Sequence, residues 1–269
     1  MDRLFDKVLM RPPEENYIDC ISKNPYHDKI EFGRTLVQHE YLVDLLDKEG
    51  LKVEVIQPLR PHPDGVFIQD TAIVGEESKT AILCRFGVSE RRGEEESVGE
   101  YLEGLGYDVK KIRSPGTLEG GDVLVTDEDK IFVGLSKRTN ESGADQLSEF
   151  LPGKEVVKVP VSEVLHLLSA VNFIGDGTLA ICPDIVAKHY FDDFDMIEIT
   201  RAEQETKYKN KPINMLYLGD KKVVLPKPYS KTGDILEEFG YTVKKMNISE
   251  FWKGDAGITC PILPFYKGV

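Results

Sequence analysis

The sequence predicts an α/β chain in which one small ββαβ module, a strand pair, a helix and a further strand, recurs about five times. Three observations lead there. The run Leu102-Glu103-Gly104-Leu105-Gly106-Tyr107-Asp108-Val109-Lys110-Lys111-Ile112 returns as Leu236-Glu237-Glu238-Phe239-Gly240-Tyr241-Thr242-Val243-Lys244-Lys245-Met246, with a looser copy at Leu46-Asp47-Lys48-Glu49-Gly50-Leu51-Lys52-Val53-Glu54-Val55-Ile56. Each copy reads as a helix end, a glycine at the C-cap and an alternating strand. Short apolar runs precede the helices, so hairpins alternate with helices where a purely parallel, doubly wound sheet would show single strands. The modules recur every roughly 50 residues, a period typical of radial arrays. Closing five short sheets in a ring hides most edges and leaves a central channel lined by loops, a five-bladed α/β-propeller.

The elements follow in chain order. The first module has the strand Lys7-Val8-Leu9-Met10 and a helix over 34–48, and it is completed by the C-terminal strand after Cys260. The second takes Val66-Phe67-Ile68 through Ile73-Val74 as one strand, Ala81-Ile82-Leu83-Cys84 as its partner, and a helix over 94–105. The third pairs Val123-Leu124-Val125 with Ile131-Phe132-Val133 across the turn Asp127-Glu128-Asp129-Lys130, then runs through a helix over 141–151 to Val156-Val157-Lys158-Val159. The fourth has Val171-Asn172-Phe173 and Thr178-Leu179-Ala180-Ile181 around Gly175-Asp176-Gly177. The fifth joins Met215-Leu216-Tyr217-Leu218 to Val223-Val224-Leu225 through Gly219-Asp220-Lys221, followed by a helix over 229–239. Nothing between modules resembles a Gly/Ser/Pro-rich linker, so a single domain over 1–269 is expected.

Composition narrows the function. The 269 residues are 41% hydrophobic and 30% charged, an ordinary soluble balance. No apolar stretch approaches the roughly 20 residues of a membrane span, and Met1-Asp2-Arg3-Leu4-Phe5 carries no secretory hydrophobic region. Cys20, Cys84, Cys182 and Cys260 are spread too widely for a disulfide framework or a Cys-x-x-Cys metal pair. A cytoplasmic protein with free thiols is expected. The net charge of −13 argues against nucleic acid, which needs basic stripes, and is compatible with a small cationic substrate.

Six strings carry chemistry. In Asp255-Ala256-Gly257-Ile258-Thr259-Cys260, the thiol is held by a turn and backed by an apolar strand, as a nucleophile requires; a small buried hydrophobe is the competing reading. In Pro63-Asp64-Gly65-Val66-Phe67-Ile68-Gln69-Asp70-Thr71, Asp64 and Asp70 flank an apolar run, where carboxylates facing a cavity make good cation ligands. In Gly116-Thr117-Leu118-Glu119-Gly120-Gly121-Asp122, two glycines after an acid mark close backbone approach, special dihedrals or a plain hairpin turn. Arg91 in Ser89-Glu90-Arg91-Arg92-Gly93 and Arg138 in Gly134-Leu135-Ser136-Lys137-Arg138 each precede a helix, and their forks suit a carboxylate. His166 in Leu165-His166-Leu167-Leu168-Ser169 becomes an acid/base candidate in the company of Cys260 and Glu119; alone it would read as a core histidine.

Taken in order along nearly the whole chain, the strings at 63–71, 89–93, 117–124, 132–140, 165–169 and 257–260 resemble the dimethylarginine dimethylaminohydrolases of the guanidino-group-modifying superfamily. The resemblance implies the five-bladed propeller of that superfamily, the pentein fold, and hydrolysis of methylated arginine to citrulline and a methylamine without a cofactor or metal. Carried over residue by residue, Cys260 is similar to the family's nucleophile and His166 to its general acid/base. Glu119 and Asp70 would grip the guanidinium, Arg91 and Arg138 the substrate carboxylate, and Asp64 the α-amino group.

Two positions depart from the family pattern. Gln69 stands where many relatives carry Glu, and strand alternation would turn it away from Asp70. Leu168 stands where arginine deiminases have Asp and many methylarginine hydrolases have Lys. An apolar side chain cannot bond free NH₂ groups but tolerates N-methyls, which favours a methylated substrate. Arginine deiminase is the nearest alternative, followed by an amidinotransferase, a metal-binding protein and a non-catalytic scaffold. Part of 16–32 is the expected lid, and a homodimer is left open.

Overall fold

The computed structural model describes residues 3–201 and 213–269. Within them the three-stranded module occurs five times, four times with an α-helix ahead of its last strand. β1 (Phe5–Met10), α1 (Phe32–Lys48) and β2 (Lys52–Val55) form the first with the last strand, β15 (Ile262–Tyr266). β3 (Ala72–Gly75), β4 (Thr80–Leu83), α2 (Glu96–Gly104) and β5 (Asp108–Lys111) form the second. The third comprises β6 (Val123–Val125), β7 (Lys130–Leu135), α3 (Glu141–Phe150) and β8 (Glu155–Pro160). β9 (Val171–Phe173), β10 (Thr178–Ile181) and β11 (Asp195–Glu198) make the fourth, with a 3-10 turn at Lys188–Phe191 in the helix position. The fifth has β12 (Leu216–Tyr217), β13 (Lys222–Pro226), α4 (Ser230–Glu238) and β14 (Thr242–Met246), and the short α5 (Ser249–Lys253) leads on towards β15.

Every module pairs its strands in the same way. The first two are antiparallel, and the middle strand is parallel to the one that returns after the helix, as in β3–β4–β5 and β6–β7–β8. Tight turns make the antiparallel step, and at Asp220 and Lys221 both φ angles are positive (50° and 53°), as a two-residue hairpin turn of the primed type requires. The helix must then cross over to bring the third strand in parallel. Gly50, Gly106 and Gly240 end α1, α2 and α4 at φ of 78°, 84° and 84°, which is why the three repeated runs share a glycine.

In the first module, the N-terminal β1 sits between the C-terminal β15 and β2. β15 also pairs with β3, which fuses the first two modules into a six-stranded sheet; the other three modules are separate three-stranded sheets. Apolar clusters join the modules in sequence. One links the first to the second through Leu9, Phe265, Val74 and Leu83, and another links the second to the third through Ile73, Ile82, Val123 and Ala144. A third runs from Leu124 and Phe132 through Leu179 and Ile181 to Val223 and Leu236, and a fourth returns from Leu216 and Val224 of the fifth module to Val8 and Leu42 of the first.

The sequence reading needs correction in three places. Residues 63–71 are not a strand. Pro63–Val66 and Ile68–Thr71 are 3-10 turns, with Phe67 N bonded to Asp64 O and Asp70 N to Phe67 O, so β3 begins only at Ala72. The strand β11 and the helix α5 were not anticipated. No helix among the described residues is long and apolar enough to cross a membrane.

Candidate active site

Each module delivers a polar side chain just ahead of its first strand. Asp70, Asn214 and Cys260 all stand two residues before β3, β12 and β15, while Glu119 and His166 stand slightly further ahead of β6 and β9. The repeat therefore converges five chemically different residues on one place. A cavity of about 520 Å³, counted with its open mouth, is lined by Cys260, His166, Asp70, Asp64, Arg91 and Arg138, together with Gln69, Leu168, Ser169 and Asn214. Six of the seven candidate residues thus border it. Glu119, fully buried, lies behind His166 and Arg138 instead of on the wall.

Of the four cysteines, Cys260 alone is half-exposed; the others are buried, and burial pushes the thiols of Cys20 and Cys84 well above their usual range. Gly257 N lies 3.2 Å from Cys260 Sγ, a donor suited to a sulfur that carries negative charge. Gln69 N donates to Cys260 O at 3.1 Å, which ties the thiol's segment to the turn that bears Asp70.

His166 meets Glu119 through Nε2 at 2.9 Å, and its Nδ1 lies 3.9 Å from Asp70 Oδ1. Burial alone would discharge this imidazole, but Asp70, Asp122 and Glu119 outweigh it and raise its pKa. Burial likewise works against ionised Asp70 and Glu119, and their cationic neighbours hold both carboxyls below the usual range: His166 and Arg91 for Asp70, chiefly His166 for Glu119. The glycines of the Glu119 string are explained by close approach. A Cβ on Gly121 would fall 2.5 Å from His166 Nδ1, and one on Gly120 2.0 Å from Gln69 O. Neither has a positive φ, so what presses on this bare backbone is the protein's own imidazole and main chain.

The two arginines are held differently. Arg91 is buried, with its fork shared between Asp70 Oδ2 (2.7 Å) and Glu94 (2.7 Å at the shortest), and its guanidinium lies over the Phe86 ring. Arg138 is slightly exposed at the cavity and donates from Nη1 to both Glu119 oxygens at 3.2 Å. In the helix following Arg138, Asn140 Oδ1 caps α3 by accepting from Gly143 N, so that amide is already engaged. Asp64 is buried and accepts from Ile21 N at 3.0 Å; burial pushes its carboxyl up. That bond places Ile21, within the expected lid segment, on the cavity wall, where Asp255 also accepts from Lys23 N at 2.6 Å.

Asp70, Glu119 and His166 offer one ligand atom each within 4.8 Å of one another, a grouping that could hold a cation. The same atoms already neutralise each other and the two arginines. Four residues that the sequence reading did not use belong to the site. Buried Asp122 accepts from Leu167 N (3.0 Å) and Ser136 Oγ (2.6 Å), and burial pushes its carboxyl up to about 6. Burial raises Glu94 to about 7 against the pull of Arg91. Asn214 and Thr259 form the third and fourth. Gln69, in a 3-10 turn and not a strand, is buried at the cavity, its Oε1 accepting from Thr259 Oγ1 at 2.9 Å. Aligning the module starts, Asn214-Met215-Leu216 against Cys260-Pro261-Ile262 and Asp70-Thr71-Ala72, was the signal that would have found Asn214.

Comparison with known proteins shows what the whole chain is similar to. Residues 12–247 match the family model of the eukaryotic N,N-dimethylarginine dimethylhydrolases. An uncharacterized protein of Aeropyrum pernix is 39% identical over 99% of this chain and 97% of its own. The N(G),N(G)-dimethylarginine dimethylaminohydrolase of Streptomyces coelicolor is 32% identical over 94% of this chain and 95% of its own. Among solved structures, a cysteine-to-serine mutant of the Pseudomonas aeruginosa enzyme complexed with citrulline superposes with a TM-score of 0.87 at 28% identity, covering 98% of this chain and all (100%) of that one.

Proposed function

The chain belongs to the dimethylarginine dimethylaminohydrolase family, and on that footing we propose that it hydrolyses Nω-methylated L-arginine to L-citrulline and a methylamine through a covalent bond to Cys260. The observation that carries the reading is the meeting, in one cavity, of a half-exposed thiol and a buried imidazole backed by carboxylates. A guanidinium carbon is a poor electrophile and needs a strong nucleophile, which a thiolate is. A bound guanidinium cation beside the sulfur favours the thiolate, and carboxylates hold that cation in line for attack.

Cys260 attacks the central carbon and gives a tetrahedral adduct. His166, kept protonated by its acidic neighbours, gives its proton to the departing amine, which leaves as methylamine or dimethylamine. The carbon remains bonded to sulfur. His166, now neutral, takes a proton from water; the hydroxide adds to that carbon, and citrulline departs as the thiol is restored. Asp70 faces the cavity and Glu119 sets the imidazole from behind, so in this reading Asp70 is the more direct ligand of the guanidinium. Of the two arginines, Arg138 is better placed for the substrate carboxylate, since Arg91 already serves Asp70 and Glu94. Asp64 would take the α-amino group. Leu168 places an apolar wall where N-methyl groups would lie.

The same reading closes the five modules into a single-domain ring, because the apolar clusters run from the first module round to the fifth and back. The test is citrulline production from asymmetric dimethylarginine and from arginine, side by side, with Cys260→Ser as control. Faster turnover of the methylated substrate, lost in the variant, is expected. Preference for arginine would make the enzyme a deiminase, and no citrulline from either would sink the reading.

A further inference from the structure

Asn214 lines the cavity and is 3% exposed. Its Nδ2 donates to Leu168 O at 3.2 Å and to Thr259 Oγ1 at 3.0 Å, while its Oδ1 accepts from Thr259 N at 3.2 Å. Two of these partners are backbone groups with one possible role each, a carbonyl that accepts and an N–H that donates, so the orientation of the carboxamide follows from its surroundings. Thr259 immediately precedes Cys260, and Leu168 lies two residues after His166. One side chain therefore ties the segment that presents the thiol to the segment that presents the imidazole. Gly257 confirms how closely they pack: a Cβ there would fall 2.0 Å from Asn214 Oδ1.

The rest of the network is neutral as well. Thr259 Oγ1 donates a hydrogen bond to Gln69 Oε1 at 2.9 Å, and Asn172 Nδ2 donates to the same Leu168 carbonyl at 2.8 Å. Around it stand the ion pairs of Asp70, Arg91, Glu119 and Arg138. A carboxylate at position 214 would repel Leu168 O and add charge beside the thiol, whereas an amide serves a carbonyl and an N–H at once. Asn214 also occupies the same place ahead of β12 that Asp70 and Cys260 occupy ahead of β3 and β15, so it is the fifth module's contribution to the centre.

We propose that Asn214 is a positioning residue that sets the separation of Cys260 and His166 by clamping Thr259 to Leu168. This rests on the reading of Cys260 and His166 as nucleophile and acid/base. Asn214→Ala is assayed with asymmetric dimethylarginine, with folding checked by circular dichroism. Since small displacements of reacting groups cost on the order of 100-fold, kcat is expected to fall roughly that much, with KM changing less than about threefold. Thr259→Val should lower kcat in the same way, and Thr259→Ser, which restores the hydroxyl, should recover most of the loss. If Asn214→Ala does not fold, the Thr259 pair carries the test alone.

A kcat within about threefold of wild type, or a raised KM with kcat intact, would overturn the clamp, the latter making Asn214 a substrate contact. Should wild type make no citrulline, or Cys260→Ser keep making it, the underlying reading fails and not the clamp. A crystal structure of Asn214→Ala, or of Thr259→Val, then decides: an unchanged distance between Cys260 Sγ and the His166 ring would overturn it.

Discussion

Glu119 Oε2 and His166 Nε2 lie 2.9 Å apart, both side chains buried, and the contact decides which proton His166 carries. Glu119 accepts, so Nε2 holds a hydrogen, and Asp70 faces the other nitrogen. Both shifts stabilise the charged pair. A histidine with a raised pKa stabilises the fold fully below its unfolded value of about 6.5, and that stabilisation is lost as pH rises through the folded pKa. A depressed glutamate contributes above about 4.3 and loses its effect as pH falls through its own lowered pKa. Both contributions are complete between about pH 4.3 and 6.5, and beyond either end one of them declines until its folded pKa is passed.

Glu119→Gln keeps a hydrogen-bonding group beside His166 and removes the charge. The His166 pKa should fall, and the alkaline limb of the kcat profile, where the leaving amine loses its proton donor, should move to lower pH. A drop in kcat of roughly 10- to 100-fold near neutrality is expected, within the range of positioned acid/base catalysis. The pH dependence of kcat for both proteins measures this; an alkaline limb that stays in place would show that Glu119 does not tune the imidazole.

Glu94 takes three of the contacts made by the buried Arg91 fork, and Arg91 in turn fixes Asp70. Removing one partner of a buried ion pair leaves the other charge unpaired, at a typical cost of about 3–5 kcal/mol. At pH 8, above the value of about 7 to which burial raises the Glu94 carboxyl, Glu94→Ala is therefore expected to destabilise the protein by about 3 kcal/mol. Urea unfolding monitored by tryptophan fluorescence tests it, and a loss below about 1 kcal/mol, the range of exposed pairs, would show that Arg91 finds compensation elsewhere.

The sequence carried the modules because each repeats the same local instructions: a glycine at φ of 84° after α2 and again after α4, and an alternating strand beyond it. It carried six residues of the cavity wall because two acids, a histidine and a thiol stand out beside apolar runs, and two arginines stand just ahead of helices. It failed over 63–71, where apolar residues followed by an acid look like a strand although the backbone bonds are those of 3-10 turns. It also passed over Asn214, since a neutral amide draws no attention in sequence and gains its meaning from Thr259 and Leu168, far along the chain. Glu94 and Asp122 were hidden for a related reason: what distinguishes them is burial, which a string of residues does not display.

Leu168 offers the sharpest control of substrate choice. It is 7% exposed on the cavity wall, while its carbonyl is held from behind by Asn172 and Asn214, so its side chain can change without releasing the backbone. An apolar wall rewards a methyl group by about 1–3 kcal/mol, whereas a carboxylate there would bond the free NH₂ groups of arginine and crowd N-methyls. Leu168→Asp is expected to shift the ratio of kcat/KM for asymmetric dimethylarginine over arginine towards arginine by roughly 10- to 100-fold. Competition between the two substrates, read as dimethylamine against ammonia released, measures that ratio directly. A ratio unchanged in the variant would place the methyl groups elsewhere in the cavity and remove Leu168 from the account of specificity.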